Sequence, residues 1–199
     1  MPFVFLPGAG GRSSFWRPVA DRLRDLGSCT LFAWPGFGDV PAEPSIDSLD
    51  SLFRWLLPKL PNGRLHVVAQ SMGGVLAARL AIEHPERVAS LILCATSGGV
   101  DVAALGGADW RSAYRAELPH VPDWFVVDRT DLTAELSRIR APTLILHGDA
   151  DDICPAAVAR LLCERIPNAR IQVLAGAGHD AAHAFPGLVA EAIRLHASR

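Results

Sequence analysis

Six short runs rich in β-branched and other apolar residues punctuate the chain: FVFLP (3–7), CTLFAW (29–34), LHVVAQ (65–70), VASLILCA (88–95), PTLILHG (142–148) and RIQVLAG (170–176). Stretches with helical periodicity follow at 14–27, 47–59, 72–84, 155–166 and 182–197. Near-continuous apolar character in such short runs suits parallel strands covered on both faces, because a strand with one wet face would alternate. This β-α alternation predicts a doubly wound α/β fold whose mostly parallel sheet of about six strands is joined by right-handed crossovers. At 199 residues, half of them apolar, the chain can bury one sizeable core and reads as a single domain over 1–199.

One connection breaks the rhythm. Residues 96–140 separate two strands by far more than the usual two to six residues, and their glycines, aromatics and mixed charges suggest a small lid or cap above the sheet. A formal charge of −2 with scattered basic residues leaves no footprint for a polyanion, so nucleic acid is not an expected partner. The apolar start, MPFVFLPGAGG, lacks a basic leader and reads as a strand. No apolar run approaches the roughly 20 residues that span a bilayer. Cys29, Cys94, Cys154 and Cys163 fit no zinc or redox spacing and read as reduced packing residues of a cytoplasmic protein.

The chemistry concentrates at strand ends. In an open parallel sheet the carboxyl ends carry the site, and Ser71 stands where LHVVAQ ends and the next helix begins. A sharp strand-to-helix turn demands small residues two positions before and two after, and Ala69 and Gly73 supply them. The Met72 N–H and the start of the helix dipole then point at the serine, where they stabilise negative charge on an attacked carbonyl. The alternative role for Ser71 is a plain helix cap.

Two further strand ends decide between these roles. PTLILHG is followed by DADDICP, offering Asp149, Asp151 and Asp152; RIQVLAG is followed by AGHDAAH, offering His179 and His183. Serine, then acid, then histidine is one of the chain orders in which a hydrolytic triad occurs. LPGAGG after the first strand places flexible backbone beside the serine, with the Ala9 N–H as a second oxyanion donor.

On these motifs the chain resembles the α/β-hydrolase superfamily from first strand to last helix. LPGAGG matches the family's HG-x loop, WPGFGD its PGxG turn, AQSMGG the nucleophile elbow, PTLILHGDADDICP the acid loop and GAGHDAAHAFP the histidine loop. The resemblance implies Ser71 as nucleophile, Asp151 as acid, His179 as base and Ala9 and Met72 as oxyanion donors. Asp151 is the third residue after Gly148, where the family places its acid; Asp149 then reads as a loop residue in an Asx-turn, and His183 belongs to the following helix. Pro7 replaces a frequent histidine and Ala69 the first elbow glycine, neither position supplying a catalytic side chain. The resemblance also implies that the first two strands of the family's eight are missing.

Other readings fit less well. GAGGRS carries Ser13 where a dinucleotide fingerprint needs its third glycine, and the second strand ends without a ribose-binding acid. HDAAH has zincin spacing, but aspartate is too short for that general base and no third ligand is evident. Neither metal nor organic cofactor is required. The expected activity is hydrolysis of a small-molecule carboxylic ester or thioester through an acyl-enzyme on Ser71, with a carboxylesterase for small apolar substrates preferred over a thioesterase, lactonase or carbon–carbon bond hydrolase. A ligand-sensing protein of the same fold is the non-catalytic alternative. Trp34, Phe37, Trp110, Tyr114, Trp124 and Phe125 lie in the segments expected to roof the serine and are the candidate substrate-binding residues.

Overall fold

The computed structural model describes residues 1–38 and 40–198. Asp39, the last residue of the WPGFGD turn, lies outside them. Strands β1 (Phe3–Leu6), β2 (Cys29–Leu31), β3 (Leu65–Gln70), β4 (Val88–Cys94), β5 (Thr143–Gly148) and β6 (Ala169–Leu174) form one sheet in the order β2-β1-β3-β4-β5-β6. Every pairing is parallel. The helices are α1 (Arg17–Ala20), α2 (Leu49–Leu56), α3 (Met72–Glu83), α4 (Arg111–Glu117), α5 (Asp123–Val127), α6 (Ala156–Arg165), α7 (Ala181–Ala184) and α8 (Pro186–Ala197). No described helix is long and apolar enough to cross a membrane.

Register explains the two-sided burial. Phe5, Val68, Ile92 and Leu144 lie side by side across four strands, and with Phe3 and Leu146 they meet Val19, Val189 and Ile193 on the face covered by α1 and α8. Their chain neighbours Val4, Leu6, Val67, Leu91, Leu93 and Ile145 point the other way, toward Leu52 and Phe53 of α2, Leu76 of α3 and Leu162 of α6. Apolar residues at consecutive positions are therefore needed in every central strand. The chain lays β2 on one side of β1 and then returns to place β3 on the other. The crevice beyond the carboxyl ends of β1 and β3 is the switch point, where such sheets hold their ligands.

Local chemistry sets the helix limits. Ser48 caps α2 by accepting the Ser51 N–H at 3.1 Å, while the Ser51 hydroxyl reciprocates to the Ser48 N–H at 3.0 Å. Arg79 of α3 bonds Asp50 of α2 at 2.7 Å and lies over the Phe53 ring, which ties the two helices together. Two expected helices are broken. The stretch 14–27 holds only a 3₁₀ turn at Ser13–Trp16 and the four residues of α1, because Pro18 has no N–H to give to an upstream carbonyl and the bonds after Asp21 reach back only three residues. Its buried stripe survives as Trp16, Val19, Ala20 and Leu23. The stretch 182–197 divides at Pro186, which opens α8. The run 29–34 is a strand only to Leu31: β1 ends at Leu6, and Trp34 gives its N–H to Gly11 instead.

The long connection between β4 and β5 carries α4 and α5 and rests on carboxyl-end loops. Ala108 N–H bonds Asp152 O at 2.8 Å, the Tyr114 hydroxyl bonds Ala9 O at 2.7 Å, and Trp124 and Phe125 meet the ring of Phe37. It thus covers the end of the sheet at which Ser71 stands.

Between β3 and β4, the buried His66 ring bonds the Ser90 hydroxyl through Nδ1 at 2.8 Å and stacks on Phe3 at 4.7 Å. Burial, reinforced by the N-terminal amine, His196 and Arg64, lowers its pKa from 6.5 to about 4. The folded protein therefore binds fewer protons here than the unfolded chain. The neutral ring's contribution is intact above pH 6.5 and is lost as pH falls toward 4, a decline of about 2 kcal/mol by pH 5. Urea unfolding at pH 7 and pH 5 is expected to show this loss in the parent protein and a shallower one in His66→Gln. Equal losses in both would mean that His66 is not the group responsible.

Candidate active site

Ser71 occupies the turn between β3 and α3 with φ 50° and ψ −120°, a left-handed conformation that a non-glycine residue holds only when its surroundings enforce it. Its N–H bonds the carbonyls of Cys94 and Ala95 at 3.3 and 3.1 Å, and its own carbonyl accepts from the Thr96 hydroxyl at 2.6 Å. Gly73 is required by proximity: a Cβ there would sit 2.5 and 2.6 Å from the Pro7 and Leu6 carbonyl oxygens at the end of β1. The Ser71 hydroxyl makes no capping bond to α3. It faces His179 Nε2 at 3.1 Å instead.

His179 follows the turn after β6 and is joined through Nδ1 to both carboxylate oxygens of Asp151, at 3.0 and 3.1 Å. The Asp151 side chain is fully enclosed, yet it is well served: Oδ1 also accepts the N–H groups of Ile153 and Cys154 at 3.0 and 2.9 Å. A carboxylate that is only an acceptor places the imidazole proton on Nδ1 and leaves the Nε2 lone pair toward the serine hydroxyl. Gln70 adds a bond from Nε2 to the His179 carbonyl at 3.4 Å.

The neighbouring candidates separate cleanly. Asp149 is exposed and accepts the Gly176 N–H at 2.7 Å, so it staples the loops after β5 and β6 rather than forming the expected Asx-turn. Asp152 is exposed. His183 is exposed on α7 and stacks on Phe15, which takes it out of the zincin-like pairing with His179. Asp151, Cys154 and His179 bring ligand-type atoms within 4.8 Å of one another. The carboxylate, however, already serves three N–H donors, and the thiol is driven far above its ordinary pKa by burial, so the cluster does not fit a resident metal.

Ala9 lies in a turn after β1 closed by the Gly11 N–H on Gly8 O at 3.0 Å, and Met72 opens α3. Neither the Ala9 nor the Met72 N–H meets an acceptor among the described residues. Two tryptophans hold the strand end behind this turn, Trp16, which the sequence reading did not connect to the site, and Trp34, which it placed there in another role. Trp16 donates its indole N–H to Leu6 O at 3.0 Å, and Trp34 donates to Pro7 O at 2.9 Å. Trp34 and Phe37 are completely buried, so neither presents the ligand surface expected of it; Trp34 braces the β1 end and Phe37 is a floor for Trp124 and Phe125. Trp110, Tyr114, Trp124 and Phe125 are half-buried, with rings in mutual edge or tilted contact. Nothing in their spacing signalled the bond of Trp16, because a tryptophan in an apolar stripe reads only as packing.

A family model described as alpha/beta hydrolase fold matches residues 1–131, and one described as Serine aminopeptidase, S33 matches residues 124–183. A pimeloyl-[acyl-carrier protein] methyl ester esterase of Nitrosomonas europaea is 27% identical, the match covering 92% of this chain and 90% of that protein. The crystal structure of a hydrolase from Pseudomonas aeruginosa superposes with a TM-score of 0.81 at 21% identity over 100% of this chain and 90% of its own. The enol-lactonase of Burkholderia xenovorans LB400 does so with a TM-score of 0.79 at 20% identity, covering 100% and 91%.

Proposed function

The chain belongs to the α/β-hydrolase fold family, and on that premise we propose that it is a serine hydrolase cleaving small apolar carboxylic esters through an acyl-enzyme on Ser71. The observation that carries this reading is the unbroken relay from the Ser71 hydroxyl through His179 to the enclosed Asp151. His179 Nε2 takes the hydroxyl proton as Oγ attacks the ester carbonyl, and Asp151 holds the tautomer and stabilises the imidazolium. The N–H groups of Ala9 and Met72 receive the oxyanion, each donor contributing about 2.7–4 kcal/mol in sites of this kind. Collapse of the tetrahedral intermediate returns the proton to the departing alcohol. Water, activated by the same Nε2, then releases the acid and restores Ser71. No step calls on a metal or an organic cofactor.

The substrate class follows from the surroundings of the serine. The aromatic rings of Trp110, Tyr114, Trp124 and Phe125 form an apolar cluster among the mixed charges of the connecting segment over the site, here read as a lid. That favours an uncharged acyl or alkyl group. The methyl ester esterase among its relatives supports a carboxylic ester with a small leaving alcohol. Four unpaired thiols suit work in the cytoplasm.

A fluorophosphonate probe combined with a panel of p-nitrophenyl esters, acyl-CoA thioesters and lactones tests the assignment. Labelling is expected on Ser71 alone, with the highest kcat/KM on short uncharged esters. An unlabelled serine would end the nucleophile reading, and a preference for acyl-CoA or lactones of a hundredfold or more would move the substrate class while keeping the mechanism.

A further inference from the structure

The turn that carries Ala9 is weakly built for a part that must receive an oxyanion. Leu6 and Pro7 are clamped from behind by the indoles of Trp16 and Trp34. Beyond them, the turn has the Gly11-to-Gly8 backbone bond and the bond from Trp34 N–H to Gly11 O, both of which grip its ends. At its crest Ala9 is half-buried and Gly10 is exposed, and a Cβ added to Gly10 would touch nothing within 4 Å. Ala9 packs against the core beneath it, and the side toward Gly10 is left open.

The side-chain bond that reaches it comes from another part of the chain. Tyr114 of α4 donates its hydroxyl to Ala9 O at 2.7 Å across 105 residues. The ring is itself held by Trp110 at 5.5 Å and Phe125 at 5.7 Å, and Arg111 pins α4 to α5 by donating Nε–H to Val126 O at 3.0 Å. Phe125 continues the contact to Phe37, which stands in the loop after β2 beside Gly11.

Resting on the serine-hydrolase reading above, we infer that Tyr114 is a positioning residue for the oxyanion site, through which the segment over the sheet sets the Ala9 peptide. The Ala9 N–H lies on the Gly8–Ala9 peptide plane, which the Gly11 N–H holds through Gly8 O, and the Ala9 carbonyl lies on the next plane, which Tyr114 holds, so the two bonds together restrict the rotation about the Ala9 Cα that would swing the N–H away from the attacked carbonyl. Burial drives the phenol pKa upward, which keeps the hydroxyl protonated and donating across the whole working range of a histidine base. A preorganised donor is worth most when it need not be reoriented as charge develops. Tyr114 therefore acts on the transition state more than on the bound ester, and any movement of α4 away from the turn loosens the oxyanion site at the same time as it opens access to Ser71.

Tyr114→Phe isolates the hydroxyl while keeping the ring and its aromatic contacts. With a short p-nitrophenyl ester, kcat is expected to fall about tenfold with KM changed less than twofold. Affinity for a trifluoromethyl ketone, whose serine adduct places an oxyanion in the same position, should fall by the same factor as kcat. Inhibition by the product acid and the melting temperature should stay at parent values. A purely structural role would lower the melting temperature without separating ketone from product acid; a substrate-lining role would put the loss into KM and make it depend on acyl length. Either pattern, or an unchanged kcat and ketone affinity, overturns the inference while a labelled, active parent protein leaves the nucleophile assignment standing. A parent whose Ser71 resists the fluorophosphonate overturns both.

Discussion

Ser71→Ala is expected to lower kcat by about 10⁵-fold or more on the best ester found, with the fold unchanged. The hydroxyl does nothing for the elbow itself: it makes no capping bond, while the bonds of the Ser71 N–H to the Cys94 and Ala95 carbonyls and of the Thr96 hydroxyl to the Ser71 carbonyl, which hold the strained φ, do not involve the Ser71 Oγ. The thermal midpoint should therefore move little. His179→Ala should be comparably damaging, and the double variant no worse than either single one, because nucleophile and base act as one unit. Steady-state kinetics on the three proteins, with the mass of the fluorophosphonate-treated chain as a second readout, checks the set. Retention of more than about a tenth of parental activity by Ser71→Ala, or additive losses in the double variant, would remove the relay from the mechanism.

Asp151→Asn is expected to lower kcat by about 10⁴-fold. The loop itself dictates which way the amide would face. The Ile153 and Cys154 N–H groups hold the acceptor at the Oδ1 position, so the amide NH₂ must turn toward His179. A donor 3.0 Å from Nδ1 competes with the Oδ1 acceptor at 3.1 Å and favours the tautomer that carries the ring proton on Nε2, which leaves no lone pair facing Ser71. Asp149→Asn keeps an oxygen for the Gly176 N–H in an exposed position and should change kcat less than twofold. If Asp149→Asn proved the more harmful in the same ester assay, the acid would have to be reassigned.

The layering of the fold and the meeting of Ser71, Asp151 and His179 at its strand ends were both legible in the sequence, for one physical reason. Strands buried on both faces need consecutive apolar residues, and the sharp turn at Ser71 needs Gly73, so each leaves a local mark. The failures share the opposite property. The stretch 14–27 shows the same apolar stripe whether it forms a helix or, with Pro18 inside it, a series of tight turns. Trp34 was expected over the serine and instead lies beneath the β1 end, because an aromatic residue near a strand end has the same composition whether it roofs a site or braces it. Trp16, Thr96 and Tyr114 act through bonds to backbone carbonyls of Leu6, Ser71 and Ala9. Carbonyls are common to all residue types, so no sequence pattern marks such a partner.

The Ser71 hydroxyl and His179 are 108 residues apart along the chain, and Asp151 and His179 a further strand apart at 28 residues. During synthesis a chain ordered through β5 already displays the elbow and Asp151, yet the imidazole that faces Ser71 is absent until β6 is added at the sheet's edge and the turn beyond it delivers His179. Turnover thus requires a long-range contact that helix formation does not, and because such distant contacts close slowly, the regain of esterase activity after dilution from denaturant should lag behind the regain of helical circular dichroism.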